Sequence, residues 1–191
     1  NRSVPNKARK WVLAELDNIA KIMPFPILGV DSDNGSEFIN HHLLTWCEQR
    51  EITFTRSRPG NSNDGAHVEQ KNWARVRELV GYLRYDTNGE LEKLNEIWEL
   101  DQIFTNYLLP QQKLIAKQRH GAKVTKQHDA PATPHQRAIR HERMPQRPII
   151  QMNAAFKRIR PAALSRHILA LTSELEVLAL AKKAAPARPI N

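Results

Sequence analysis

Phe25-Pro26-Ile27-Leu28-Gly29-Val30-Asp31-Ser32-Asp33-Asn34-Gly35-Ser36-Glu37-Phe38 decides the reading of this chain. The apolar run 25–30 suits a buried strand, and it delivers Asp31 and Asp33 to that strand's C-terminal end. Open α/β sheets place their ligand sites there. Positions 31 and 33 face the same side of an extended strand. Asn34-Gly35 is also a strong hairpin signal, which would make the segment a turn without chemistry. A calcium loop is excluded, because that motif needs Gly at its sixth position and Glu at its twelfth. Counted from Asp31, those positions hold Ser36 and His42.

Working outward, Ala8, Val12, Leu16, Ile19 and Met23 recur at helical spacing until Pro24 ends the pattern. Downstream, Ser36 is placed to cap a helix that carries Ile39, Leu43, Trp46 and Cys47 on one face. A second strand is expected at 52–55, a loop rich in Pro, Gly, Asn and Ser at 57–65, and a long helix at 66–85. Alternating helix and strand in this order predicts an α/β fold around a mainly parallel sheet. On the long helix, Glu69 lies in line with the stripe Asn72, Trp73, Val76, Val80 and Leu83. A carboxylate on a core-facing stripe costs on the order of several kcal/mol to bury alone, so it needs a cation or an opening. A partly exposed Glu in the first turn, where the helix dipole favours negative charge, is the plainer alternative.

The charge is divided unevenly along the chain. Residues 1–106 hold 13 Lys/Arg against 16 Asp/Glu, whereas 107–191 hold 16 against 4, so the net charge of +9 comes entirely from the second half. That asymmetry points to a polyanion, and nucleic acid fits better than a membrane because no 18-residue apolar run occurs. A merely soluble basic surface would look similar. The single cysteine, Cys47, excludes a disulfide framework and any zinc site built on paired cysteines, which suits a reducing, cytoplasmic setting. A helix is expected at 90–107, and 109–160 reads as a Pro-, Lys- and Arg-rich arm with little secondary structure. Leu164, Ile168, Leu171, Leu175 and Leu178, spaced four and three apart behind Pro161, predict a C-terminal helix over 161–185. The expected divisions are thus 1–107, 108–160 and 161–185.

Several segments together resemble the integrase-type DDE transposases of bacterial insertion sequences, relatives of the retroviral integrase catalytic core. They are 25–40, Ile52-Thr53-Phe54-Thr55-Arg56-Ser57-Arg58-Pro59, and Asn63-Asp64 leading into Ala66-His67-Val68-Glu69-Gln70-Lys71-Asn72-Trp73. Pro110, Lys113-Leu114, Lys117, Arg119 and Thr133-Pro134 look like the same family. The resemblance implies a ribonuclease-H-like core, with Asp33 as the second acid of a catalytic triad and Glu69 as the third, 35 residues lying between them. The first aspartate of the family belongs on an opening strand upstream of Asn1, so the expected core is partial, with its first strands missing.

By the same resemblance, Asp33 and Glu69 would be both catalytic and metal-binding, holding Mg²⁺ or Mn²⁺, two ions in the complete enzyme. Carboxylate oxygens suit these hard cations. Asp31 and Asn34 would steady that site, and Asp31 is also an alternative ligand. Lys71, Arg75, Lys113, Lys117, Arg119, Lys123 and Lys126 are candidate DNA contacts. The expected partners are mobile-element end DNA and target DNA, handled by a homo-oligomer of the full-length protein at the bacterial nucleoid. Two other readings stay open at this point: an inactive remnant that only binds DNA, and a divalent-metal nuclease.

Overall fold

Pro24 cannot donate a backbone hydrogen bond and biases the residue before it away from helix. Helix α1 (Arg9–Ile22) ends accordingly, with Met23 already extended and its N–H closing on the Ile19 carbonyl. The structure, a computed structural model, describes residues 1–32, 41–56 and 72–184, without the side chains of 41, 183 and 184. It is a mixed α/β chain that divides into two units. One comprises Arg2–Glu96 and Ala170–Asn191; the other comprises Asn1 and Ile97–Leu169.

In the first unit, strand β1 (Gly29–Ser32) pairs in parallel with β2 (Thr53–Arg56), in the register Gly29↔Thr53, Val30↔Phe54, Asp31↔Thr55 and Ser32↔Arg56. The strand begins later than the apolar run that announced it. Pro24 and Pro26 lack the N–H groups a ladder needs, and Leu28 is exposed, so this stretch is a half-covered strand end rather than a buried strand. Helix α2 (His41–Glu48) makes the crossover and supplies the core: Leu43, Trp46 and Cys47 are buried with Ile52. Leu13, Leu16 and Ala20 of α1 pack against them, as do Ile27, Val30 and Phe54. Ser36 and Ile39, expected at the start of this helix, lie outside the described residues.

Two local devices fix α2. Its C-terminus closes with Ile52 N–H on the Cys47 carbonyl and Glu51 N–H on the Glu48 carbonyl, around Glu51 at φ 54°. This is the Schellman pattern, with Glu where Gly is the usual occupant. On its flank, the Trp46 indole donates to Asp17 Oδ1 at 2.7 Å. The Arg50 guanidinium reaches the same oxygen at 3.1 Å and lies 4.5 Å over the Trp46 ring. Asp17, an acid in mid-helix, thereby ties α1 to α2.

Beyond the undescribed 57–71, helix α3 runs as a π-helical stretch (Asn72–Arg77) into a short α-helical turn (Glu78–Val80). The helix expected to reach 85 stops at Gly81, whose φ of 68° and ψ of −152° suit essentially only glycine. Trp73, expected on the core-facing stripe, is exposed. Helix α4 (Asn88–Ile103) opens on a capping box: Glu90 accepts from the Thr87 N–H while Thr87 Oγ1 accepts from the Glu90 N–H. It continues as a π-helical turn, Phe104–Leu108.

The second unit corrects the expectation of an extended arm over 109–160. Strands β3 (Leu114–His120) and β4 (Lys123–His128) form an antiparallel hairpin. Helices α5 (Pro134–Ile139) and α6 (Gln146–Arg158) follow. The hairpin turn places Gly121 at φ 59° before Ala122, as in type II′ turns, where glycine takes the first central position. Helix α5 starts on Thr133, which exchanges hydrogen bonds with Gln136 and has Pro134 in its first turn. The apolar residues of the strands, Leu114, Ile115, Ala116 and Val124, do not alternate with polar ones over either strand, so no period of two marks the hairpin in the sequence. Helix α7 (Pro161–Ala184), the last described segment, belongs to this unit up to Leu169 and to the first from Ala170, with Ile168, Leu171 and Leu175 buried and Leu178 exposed.

Leu43→Ala should cost about 2–5 kcal/mol of unfolding free energy, the range for emptying a buried leucine site. Urea denaturation followed by far-UV circular dichroism measures it. A loss below about 1 kcal/mol would show that the side chain does not fill the space beneath the strand pair.

Candidate nucleic-acid interface and carboxylate site

Of the six positions expected at the catalytic strand end and its helix, Asp33, Asn34, Glu69 and Lys71 lie outside the described residues. Asp31 is described. It sits at the C-terminal half of β1, directly across from Thr55, whose hydroxyl donates to Asp31 Oδ1 at 2.7 Å. Asp31 is exposed, so its charge remains in contact with water. Among the described residues, no group of three or more His, Cys, Asp or Glu side chains converges on one point. Arg75, on α3, donates from Nε to the Ala74 carbonyl.

The remaining candidates collect on one element. Lys117, Arg119, Lys123 and Lys126 belong to the β3–β4 hairpin, and Lys113 immediately precedes it. The register sets Lys117 opposite Lys126 and Arg119 opposite Val124, so Lys117, Arg119 and Lys126 share one face. All three are exposed. Like charges directly opposite each other destabilise a strand pair, and an isolated two-stranded hairpin is only marginally stable in water. Among the described residues, none of Lys117, Arg119, Lys123 and Lys126 has an ion-pair partner. The stretch 102–128 contains no Asp or Glu.

The hairpin is instead held at its base by Asp129. Arg137 donates to both carboxylate oxygens, at 2.5 and 3.1 Å, and also to the Gln111 carbonyl at 2.7 Å. The Lys113 N–H reaches Asp129 Oδ1 at 2.6 Å, and Gln111 and Ala132 exchange backbone hydrogen bonds beside it. The Arg137 hydrogen bonds first, and the Lys113 amide second, hold the Asp129 carboxyl down at about 2. The acid nearest the basic face is therefore already committed to Arg137. The buried His135 ring packs against both Tyr107 and Phe156, at 5.0 and 5.2 Å, and its Nε2 is 3.0 Å from Asn153 Oδ1.

A second carboxylate was missed by sequence reasoning, although Thr87-x-x-Glu90 carries the capping-box signature. The Glu90 side chain is 1 % exposed. Its Oε2 accepts from the Asp86 and Thr87 amides and the Thr87 hydroxyl, each at 2.9 Å. Lys182 Nζ lies 2.8 Å from Oε2 and 2.7 Å from Oε1, the latter close as an ion pair but not well directed as a hydrogen bond. Burial raises the Glu90 pKa, yet Lys182 and the two amides outweigh it and bring the carboxyl to about 2. Lys182 also donates to Asp86 and to the Arg84 carbonyl, so the pair anchors the end of α7 and is a structural site.

No family model matches the chain, and no solved structure matches it. The chain is similar to the uncharacterized protein y4rM of Sinorhizobium fredii, at 39% identity over 133 residues, which is 69% of this chain. It spans 38% of the length of that relative. No helix among the described residues is long and apolar enough to cross a membrane.

Both depressed carboxyls define an acid-sensitive window. A carboxyl lowered in the folded state stabilises above its unfolded value, and that stabilisation is lost as pH falls through the folded value. Acidification from about pH 4.5 to about pH 2 should therefore release the Lys113, Asp86 and Thr87 amides that donate to these groups. Amide hydrogen exchange reads this directly. Asp129→Asn should weaken Lys113 protection at neutral pH while leaving Asp86 and Thr87 protected; protection unchanged by acid down to about pH 2 would contradict the assignment.

Proposed function

We propose that this chain is part of an integrase-type DDE recombinase, with residues 1–107 belonging to a ribonuclease-H-like catalytic core, acting on element-end DNA and target DNA. The observation that carries the reading is the hairpin's cationic face. Lys117, Arg119 and Lys126 are brought together by register, exposed and without an ion-pair partner among the described residues. A polyanion is the partner that relieves repulsion between Lys117 and Lys126, and phosphate contacts by such groups are independent of base sequence. The parallel pair adds support, since β1 (Gly29–Ser32) is the strand that leads in sequence to Asp33.

In this reading Asp33 and Glu69 are the metal-holding acids, together with a first aspartate outside residues 1–191. Their fit to Mg²⁺ or Mn²⁺ rests on the donor set, which is carboxylate oxygen throughout. Held by these acids, such ions would supply charge stabilisation for an in-line phosphoryl displacement. Asp31, steadied by Thr55, would add negative charge at the same strand end.

Duplex DNA affinity of the 191-residue chain should fall steeply with salt. In Lys117→Ala/Arg119→Ala/Lys126→Ala the slope of log affinity against log salt should become shallower by about three. An unchanged slope and affinity would sink the interface. In the polypeptide that also carries the first aspartate, Asp33→Asn and Glu69→Gln should each abolish Mg²⁺-dependent strand cleavage while leaving duplex affinity within about twofold. Normal cleavage by either variant would remove that residue from the triad.

A further inference from the structure

The α3 helix and its exit hold an aromatic pair that the hairpin reading does not use. Trp73 is 56% exposed and Tyr82 is 67% exposed. Their ring centroids are 6.1 Å apart with a 52° tilt, so neither ring covers the other face to face. The Arg77 guanidinium lies 4.9 Å over the Tyr82 ring and donates to the Gly81 carbonyl at 3.4 Å. Gly81, in its glycine-only conformation, ends the helix at the point that brings Tyr82 back beside Trp73. Two large aromatic side chains are thus kept in water, next to each other, by a defined backbone turn.

The surroundings select among occupants. Arg84 is paired with Asp86 at 2.7 Å, which leaves Arg75 and Arg77 as the cations of this stretch against one acid, Glu78, between residues 72 and 83. A purely apolar protein partner gains nothing from those cations. A nucleic-acid strand uses both features: the π face of a base stacks on an aromatic ring, and its phosphates meet the arginines. Duplex bases are already stacked on each other, so the occupant is unpaired.

We infer that Trp73, Tyr82 and Arg77 form a stacking platform for an unpaired nucleobase of single-stranded DNA. This rests on the nucleic-acid reading above and adds a second contact to it, one that recognises bases rather than phosphates alone. The platform would hold a strand that has left the duplex, while the hairpin grips the duplex itself.

The test compares three probes on the 191-residue chain by fluorescence anisotropy at one ionic strength: a labelled oligo-deoxythymidine strand, an abasic strand of the same length, and a blunt duplex. Wild type should bind the thymidine strand about 5- to 150-fold more tightly than the abasic one, the equivalent of stacking a single base. Trp73→Ala and Tyr82→Ala should each erase most of that preference and leave duplex affinity unchanged, whereas Trp73→Phe should retain it. Equal binding of the thymidine and abasic strands by wild type overturns the inference without any variant, and leaves the hairpin reading standing if the duplex still binds. Failure to bind any of the three probes overturns both readings. Retention of the preference in Tyr82→Ala and Trp73→Ala overturns the platform, as does self-association that Trp73→Ala abolishes in a chain with no base preference, which would assign the patch to protein contact.

Discussion

Two parallel strands cannot be joined by a tight turn; the chain must leave one strand end, cross over and return. Helix α2 meets that requirement between β1 and β2, and the rest of this unit follows from how it is seated. Leu43, Trp46 and Cys47 face one core with Ile52, while Asp17 takes both the Trp46 indole and the Arg50 guanidinium on the flank. The Schellman closure around Glu51 then returns the chain directly into β2. With these contacts in place, Asp31 stands beside Thr55 at the strand end. The position of any chemistry at that end is therefore a consequence of an apolar plug several residues away.

The other unit solves an opposite problem. A cationic hairpin opposes its own formation, since Lys117 and Lys126 repel across the strands and little apolar surface is buried. Its order comes from the turn at Gly121 and from the Asp129–Arg137 clamp at its base. Because Asp129 is committed to Arg137 and Lys113, it does little to neutralise the exposed face. Four of the sixteen Lys/Arg of residues 107–191 thus stand exposed on a hairpin held at its base by a specific structural anion. That division of labour leaves the hairpin's cationic face exposed, as the proposed polyanion contact requires.

The sequence disclosed those elements whose signals are local and apolar. Pro24 marked the end of α1, the stripe Leu43, Trp46 and Cys47 identified the buried face of α2, and the Leu171–Leu175 spacing lay on a helix. It concealed the hairpin, because Leu114, Ile115 and Ala116 are consecutive and Val124 stands alone, which gives no hydrophobic alternation to read. It also misplaced Trp73: helical spacing put it on a core-facing stripe, but π-helical winding and the stop at Gly81 change which side of the chain that residue meets. Glu90 and Asp129 were hidden for another reason. Each is a carboxylate whose partner, Lys182 or Arg137, is set by tertiary folding or by a turn. Of the candidate site itself, Asp31 and the five hairpin-region cations can be followed in the structure, whereas Asp33 and Glu69 rest on their motifs alone.

The central proposal is that Asp33 and Glu69 hold a divalent cation near the C-terminal end of β1. Mn²⁺ titration observed by amide NMR tests it most directly, since a bound paramagnetic ion broadens the resonances nearest to it. The account predicts early broadening of Asp31, Ser32, Thr55 and Arg56, with the effect lost in Asp33→Asn. Broadening that is absent from these four residues, or that persists in Asp33→Asn, would contradict it.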